Sequence, residues 1–224
     1  MIKATFYKEW IKSSNVIKLL LLITLALICY GFISVIQMFN STAAHEVWAL
    51  VVHKDMIMIP SLLKWVLLGS GIVIAFVQYS SEMVNKRLKL TLHLPCSEVK
   101  IIASMYLFGM VVLFSIFLLS YVAYTVIFSL YFPREIVVAH LLSISPYVVA
   151  SIVGYFLTAA VIVEPIWKRR VIAAFTAMGA LSMFLVGGHS SAMVYNYGFM
   201  ALLVVLSVLS SNYSITRFKD GAQN

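Results

Sequence analysis

Long runs of apolar residues are the feature that most constrains how this chain can fold. The first run, residues 19–38, contains one strongly polar side chain, Gln37. About 20 apolar residues in an α-helix cross the hydrocarbon core of a bilayer. Because the backbone finds no water there, a helix, which pairs its own N–H and C=O groups, is the structure expected for such a run.

The composition excludes most soluble classes of protein. Hydrophobic residues form 62% of the chain and charged residues 11%, whereas soluble globular domains carry about 25% charged residues. A soluble enzyme and a disordered chain are therefore excluded. Of the two cysteines, Cys29 lies in an apolar run and Cys96 in a basic segment. These unlike surroundings argue against a secreted fold held by disulfides.

The sequence predicts an all-α integral membrane protein with six transmembrane helices. The spans are expected at residues 19–38, 60–80, 101–128, 146–163, 171–187 and 194–210. Residues 1–18 are expected to form a cytoplasmic interfacial (elbow) helix, and residues 211–224 a cytoplasmic tail. The stretch 136–145, before the fourth span, is of mixed polarity and could lie in the interface.

Lysine and arginine determine the expected orientation. Thirteen of the 16 basic residues fall on one side of the predicted spans. They are Lys3, Lys8, Lys12, Lys18, Lys86, Arg87, Lys89, Lys100, Lys168, Arg169, Arg170, Arg217 and Lys219. Basic loops stay in the cytoplasm, so both termini are predicted to be cytoplasmic. The net charge of +8 is therefore explained by membrane topology, and no nucleic-acid partner is expected. The expected partner of the spans is the lipid bilayer.

The first 12 residues form an amphipathic pattern. At about 100° per residue, one arc carries Ile2, Phe6, Tyr7, Trp10 and Ile11, and the opposite arc carries Thr5, Lys8, Glu9 and Lys12. Lys3 falls inside the apolar arc, where its ammonium group would have to snorkel. Such a helix either anchors the first span at the cytoplasmic leaflet or also shapes a docking surface for a partner.

The cytoplasmic connection at residues 81–100 contains more leucine than a solvated loop needs. Its charged residues are followed by Leu88, Leu90, Leu92 and Leu94. Pro95 ends this run, and Ser97 can cap the start of the third span. A short amphipathic helix that enters a groove on a partner protein would use this pattern. The alternative is a loop that lies on the lipid headgroups.

These motifs together resemble the permease subunit of type-2 ATP-binding-cassette transporters. The resemblance rests on Tyr7-Lys8-Glu9 in the N-terminal helix, on the two spans that follow, and on Glu82 and Leu94-Pro95-Cys96-Ser97 in the connection. It covers roughly the first 130 residues, and beyond them it rests on the number of spans.

The resemblance implies a coupling helix between spans two and three that inserts into an ATPase subunit. The residues expected in this ATPase-coupling contact are Glu82, Lys86, Arg87, Leu90, Leu94 and Pro95. It also implies a homodimer or heterodimer of permeases in a bacterial inner (plasma) membrane. Two separate ATPase subunits would bind ATP and Mg²⁺ and drive the movement of an unidentified substrate, with export as the expected direction.

No catalytic, cofactor or metal site is expected in the chain itself. None of its ten glycines begins a G-x-x-x-x-G-K-[ST] phosphate-binding loop, so ATP hydrolysis would belong to a partner. The histidines near the predicted outer face are His45, His53, His140 and His189. They lack the spacing of a metal-binding helix and are expected to be interfacial rather than ligands for copper or zinc.

Two other functions stay open at this stage. One is a non-transporting membrane scaffold or accessory subunit. The other is a secondary transporter, which would need ionisable groups near mid-membrane. The spans offer Lys64 in a shallow position, which argues against it. Glu164, at the inner end of the fourth span, could pair with Lys168 or mark the interface.

Overall fold

The computed structural model describes residues 2–53, 59–84, 98–185 and 196–220, and these residues form seven α-helices and no strand. In chain order the helices are α1 (Ile2–Ser41), α2 (Ala44–His53), α3 (Ser61–Met83), α4 (Glu98–Ser129), α5 (Arg134–Val163), α6 (Trp167–Ser182) and α7 (Tyr197–Asp220). The prediction of an all-α architecture is confirmed for this part of the chain.

Five helices of the described residues are long and apolar enough to cross a bilayer: α1, α3, α4, α5 and α7. The helix α6 has 16 residues, about 24 Å at 1.5 Å per residue, which is less than the roughly 30 Å of hydrocarbon. The fifth predicted span and the turn that follows extend into 186–195, outside the described residues. A total of six spans therefore stays a prediction.

The first helix is one element of 40 residues, about 60 Å long. The elbow helix expected at 1–18 and the span expected at 19–38 are joined in it without a break. The sequence explains why, since neither proline nor glycine occurs between Ile2 and Gly31. Nothing interrupts the backbone hydrogen bonds at the point where the polarity changes.

The helix α5 also joins two segments that the sequence pattern separates. The mixed stretch 136–145 and the fourth predicted span form one helix with Pro146 inside it. A proline lacks the N–H that would bind the carbonyl four residues earlier, which here belongs to Leu142. The hydroxyl of Ser145 donates to that carbonyl at 2.7 Å and replaces the missing bond.

The last helix, α7, continues through most of the predicted tail. Ser211, Ser214 and Ile215 are buried against the bundle, and the hydroxyl of Tyr106 on α4 donates to Ser211 at 2.7 Å. These contacts account for the helix reaching Asp220 rather than ending at residue 210.

The helix α5 packs against α3, α4, α6 and α7, and α1 packs against α3 and α4. At Gly71 on α3, a β-carbon would overlap the carbonyl oxygen of Ser151 on α5. The Gly71 N–H donates to the Ser151 hydroxyl at 2.9 Å. Gly69, from the same small-residue stretch, has open space around it. Packing within the subunit therefore requires a glycine at position 71 but not at position 69.

Further along α3, polar side chains join three helices in the core. The amide nitrogen of Gln78 donates to the Met105 carbonyl on α4 at 3.0 Å. The hydroxyl of Tyr155 on α5 donates to the amide oxygen of Gln78 at 2.9 Å. Glu82 comes one helical turn after Gln78, so the same buried face of α3 carries both side chains.

Candidate functional site

Glu82, one of the predicted ATPase-coupling residues, lies in the last turn of α3 and is 1% exposed. Its Oε1 accepts hydrogen bonds from the ammonium groups of Lys12, at 2.5 Å, and Lys8, at 2.9 Å. The Lys12 ammonium also lies 2.8 Å from Oε1 of Glu9. Lys8, Glu9, Lys12 and Glu82 are called the N-terminal ionic cluster below.

The local structure of α1 explains how the cluster forms. Lys8, Glu9 and Lys12 lie on one arc of the helix, and this arc faces α3. Glu9 is buried there, and the Ser13 hydroxyl donates to its backbone carbonyl at 2.7 Å. The aromatic arc, with Tyr7 and Trp10, is exposed instead. The polar arc of the N-terminal helix therefore packs against α3, and most of the apolar arc, apart from Phe6, faces away from the protein.

Charge in the cluster is balanced, but hydrogen bonding is incomplete. Two ammonium groups face two carboxylates, which offsets the several kcal/mol that it costs to remove each charge from water. However, both carboxylate oxygens of Glu9 and Oε2 of Glu82 accept no hydrogen bond from the residues that the structure describes, although the Lys12 ammonium lies within ion-pair distance of Glu9. The two lysines thus hold carboxylates whose acceptor atoms they do not all satisfy.

The other predicted coupling residues, Lys86, Arg87, Leu90, Leu94 and Pro95, fall in 85–97, outside the described residues. Glu82 stands directly before that segment, so the cluster ties α1 to the point where the segment begins. The roles of Lys8 and Lys12 as partners of Glu82 were not predicted from the sequence. The signal for them was the polar arc of α1 together with the opposite charge on Glu82.

A second buried carboxylate, Glu164, lies just after α5 and is 4% exposed. Its Oε1 is 2.6 Å from the guanidinium of Arg217 on α7, and its Oε2 accepts a hydrogen bond from Ser214 at 3.2 Å. The sequence left open whether Glu164 pairs with Lys168 or marks the interface, and the structure pairs it with Arg217. Glu164, Arg170, Ser214 and Arg217 are called the C-terminal ionic cluster below.

Arg170, at the start of α6, adds backbone contacts to this cluster. Its guanidinium donates to the carbonyl of Glu164 at 2.8 Å and to the carbonyl of Ile162 at 3.2 Å. The last carbonyls of a helix have no partner within it and carry partial negative charge. Arg170 therefore caps the end of α5, and the cluster joins α5, α6 and α7.

The remaining polar candidates do not assemble into a site. His140 is buried, its Nδ1–H donates to the Ile136 carbonyl at 2.9 Å, and its ring centre lies 5.1 Å from that of Phe128. The Lys64 ammonium lies 5.5 Å from the ring centre of Tyr147. Among the described residues, no group of three His, Cys, Asp or Glu side chains could hold a metal ion.

Comparison with protein-family models, curated proteins and solved structures found no match for this chain. The class of the protein therefore rests on its own sequence and fold. Five apolar helices long enough to cross a bilayer are the architecture of a multi-pass α-helical membrane protein.

Proposed function

We propose that this chain is the permease subunit of an ATP-binding-cassette transporter, with six spans and both termini in the cytoplasm of a bacterium. Two permease copies, or this chain and a paralogue, would form the path for an exported substrate. Separate ATPase subunits would dock at the leucine-containing segment after α3 and supply the energy.

The observation that carries this proposal is the position of the N-terminal ionic cluster. A coupling segment has to pass a displacement of the ATPase to the spans. Glu82 lies directly before residues 85–97 and is held by Lys8 and Lys12 of α1. A displacement of the segment would therefore act on α1 and α3 together.

The packing of α3 supports the next step of the same mechanism. Gly71 brings the backbones of α3 and α5 into contact, and Gln78 links α3 to α4 and α5 by hydrogen bonds. Closely packed interfaces shift between discrete arrangements rather than deform continuously. A force at the cytoplasmic end of α3 would therefore tilt these helices as a unit and alter access to a path between two permeases.

The orientation on which the proposal depends can be measured by cysteine labelling. In a variant without Cys29 and Cys96, single cysteines replace Thr42 or Lys86. A membrane-impermeant maleimide should label position 42 in intact cells and position 86 only after permeabilisation. The predicted span at residues 60–80 lies between the two positions and puts them on opposite faces of the membrane. Labelling of both positions from the same side would contradict the topology.

Co-purification tests the function itself. The tagged chain, isolated from its own host, should co-purify with an ATPase subunit. Reproducible absence of an ATPase would favour the alternative function, a non-transporting membrane scaffold. Leu90→Asp or Leu94→Asp should weaken the association about 10–100-fold, because a buried leucine contributes about 1.5–3 kcal/mol. Lys86→Ala should change it less than about fivefold, as expected of a rim charge. Full assembly of both leucine variants would exclude this segment as the coupling element.

A further inference from the structure

The exposed side of the N-terminal helix forms a groove with α4. Lys3, Phe6, Tyr7 and Trp10 of α1 line it together with Phe108 of α4, and it encloses about 470 Å³. The rings of Phe6 and Phe108 meet edge to face with 5.6 Å between their centres. Four of the five lining side chains are aromatic, so the groove is apolar over most of its surface.

The spacing of the lining residues explains why they share one side of α1. Positions 6 and 7 come three and four residues after position 3, and position 10 comes four and three residues after them, which places all four on one helical face. The opposite face is already occupied by the N-terminal ionic cluster. Tyr7 is 68% exposed and Trp10 is 47% exposed, so the aromatic face stays open to the surroundings of the protein.

Lys3 gives the groove its charge. Lys8 and Lys12 are paired with Glu82, whereas Lys3 forms no ion pair with any residue that the structure describes. Within the part of the chain that the structure describes, the groove is therefore apolar with one unpaired cation on its edge. The distribution of lysine and arginine places this end of α1 at the cytoplasmic leaflet, where anionic headgroups attract basic side chains.

We propose that this groove binds one anionic phospholipid of the cytoplasmic leaflet. The phosphate lies against the Lys3 ammonium, and an acyl chain runs over the rings of Phe6 and Phe108. Tyr7 and Trp10 flank the headgroup region, which is where amphipathic aromatic side chains reside in membrane proteins. The proposal uses the expected orientation of α1 and does not depend on the transport function.

Trp10 offers a direct probe of the groove. A variant with Trp48, Trp65 and Trp167 replaced by phenylalanine keeps Trp10 as its one tryptophan, which can be excited at wavelengths where tyrosine does not absorb. It is reconstituted into nanodiscs that contain acyl-brominated phosphatidylglycerol or, at the same fraction, acyl-brominated phosphatidylcholine. Bromine quenches indole fluorescence at short range, so the anionic lipid should quench Trp10 at a lower mole fraction than the neutral lipid does.

Two matched lysine variants locate the charge that is responsible. Lys3→Gln should reduce the preference for the anionic lipid about fivefold, the factor expected for one cationic side chain at an anionic surface. Lys18→Gln removes an exposed lysine of the same helix away from the groove and should leave the preference unchanged. Native mass spectrometry of the natural chain should show one retained phosphatidylglycerol, which is lost in Lys3→Gln, and this measurement needs no tryptophan replacement.

Three results would overturn the proposal. Equal quenching by the two lipids would show that the groove does not select an anionic headgroup. Quenching by neither lipid would show that no acyl chain lies in the groove. A preference that survives Lys3→Gln, or that Lys18→Gln removes equally, would show that Lys3 does not bind the phosphate.

Discussion

The two ionic clusters bury carboxylates at the same end of the bundle but pair them differently. Glu164 has both oxygens engaged, by Arg217 and by Ser214. Glu82 has one oxygen engaged, by two lysines, of which Lys12 is shared with Glu9. Arginine has a planar fork of donors, whereas the lysine ammonium is a compact charge on a flexible chain. We therefore expect the C-terminal cluster to be the more rigid connection, and the ammonium groups of the N-terminal cluster to move more easily between carboxylate oxygens.

This difference matches where each cluster lies. The C-terminal cluster joins α5, α6 and α7 within the body of the protein. The N-terminal cluster joins α1 to α3 directly before residues 85–97, the segment proposed to receive an ATPase. A connection that is proposed to transmit movement benefits from contacts that can shift, whereas a connection that holds neighbouring helices together does not need them.

Removal of Arg217 should have the largest effect on stability. Arg217→Leu leaves the carboxylate of Glu164 buried without its paired cation, which should lower the free energy of unfolding by about 3–5 kcal/mol. Denaturant titration in detergent, followed by circular dichroism, measures it. Arg169→Leu is the matched control, because Arg169 is an exposed arginine at the start of the same helix as Arg170.

Neutralising the carboxylate distinguishes a lost ion pair from lost packing. Glu164→Gln combined with Arg217→Leu should recover part of the stability lost in Arg217→Leu alone, because the buried charge is gone. If the double variant is no more stable than Arg217→Leu, the fixed pairing assigned to the C-terminal cluster is wrong.

The two lysines of the N-terminal cluster should differ from each other. Lys12→Met removes the cation that Glu9 and Glu82 share. This change should lower the free energy of unfolding by about 3 kcal/mol. Lys8 has a side chain that is 42% exposed, so Lys8→Met should cost less than about 1 kcal/mol. The same unfolding titration measures both variants. Equal losses would mean that Lys12 is not the shared centre of the cluster.

The contact between α3 and α5 should show a smaller and opposite pair of effects. Gly71→Ala places a methyl group against the Ser151 carbonyl and should destabilise the protein by about 1–3 kcal/mol. Gly69→Ala adds the same methyl group in open space and should be neutral or stabilising by up to about 1 kcal/mol. If the two alanine variants shift the unfolding midpoint equally, α3 and α5 are not in close contact at Gly71.

The partner of Glu164 could not be predicted from the sequence. Lys168 is close to Glu164 in the chain, and local spacing favours it as a partner. Arg217 is 53 residues away and reaches Glu164 because α7 packs along α5. No local pattern predicts such a pair, since its distance depends on how two helices pack.

The sequence by itself determined that the chain is helical and apolar enough for a membrane, because the length of a span and the pairing of its backbone are local requirements. It also contained the reason for the continuous α1, namely the absence of proline and glycine before Gly31. Tertiary structure decided which arc of the N-terminal helix is buried. Periodicity divides a helix into two arcs, but the partner of each arc is set by packing, and here the buried Glu82 draws the polar arc inward.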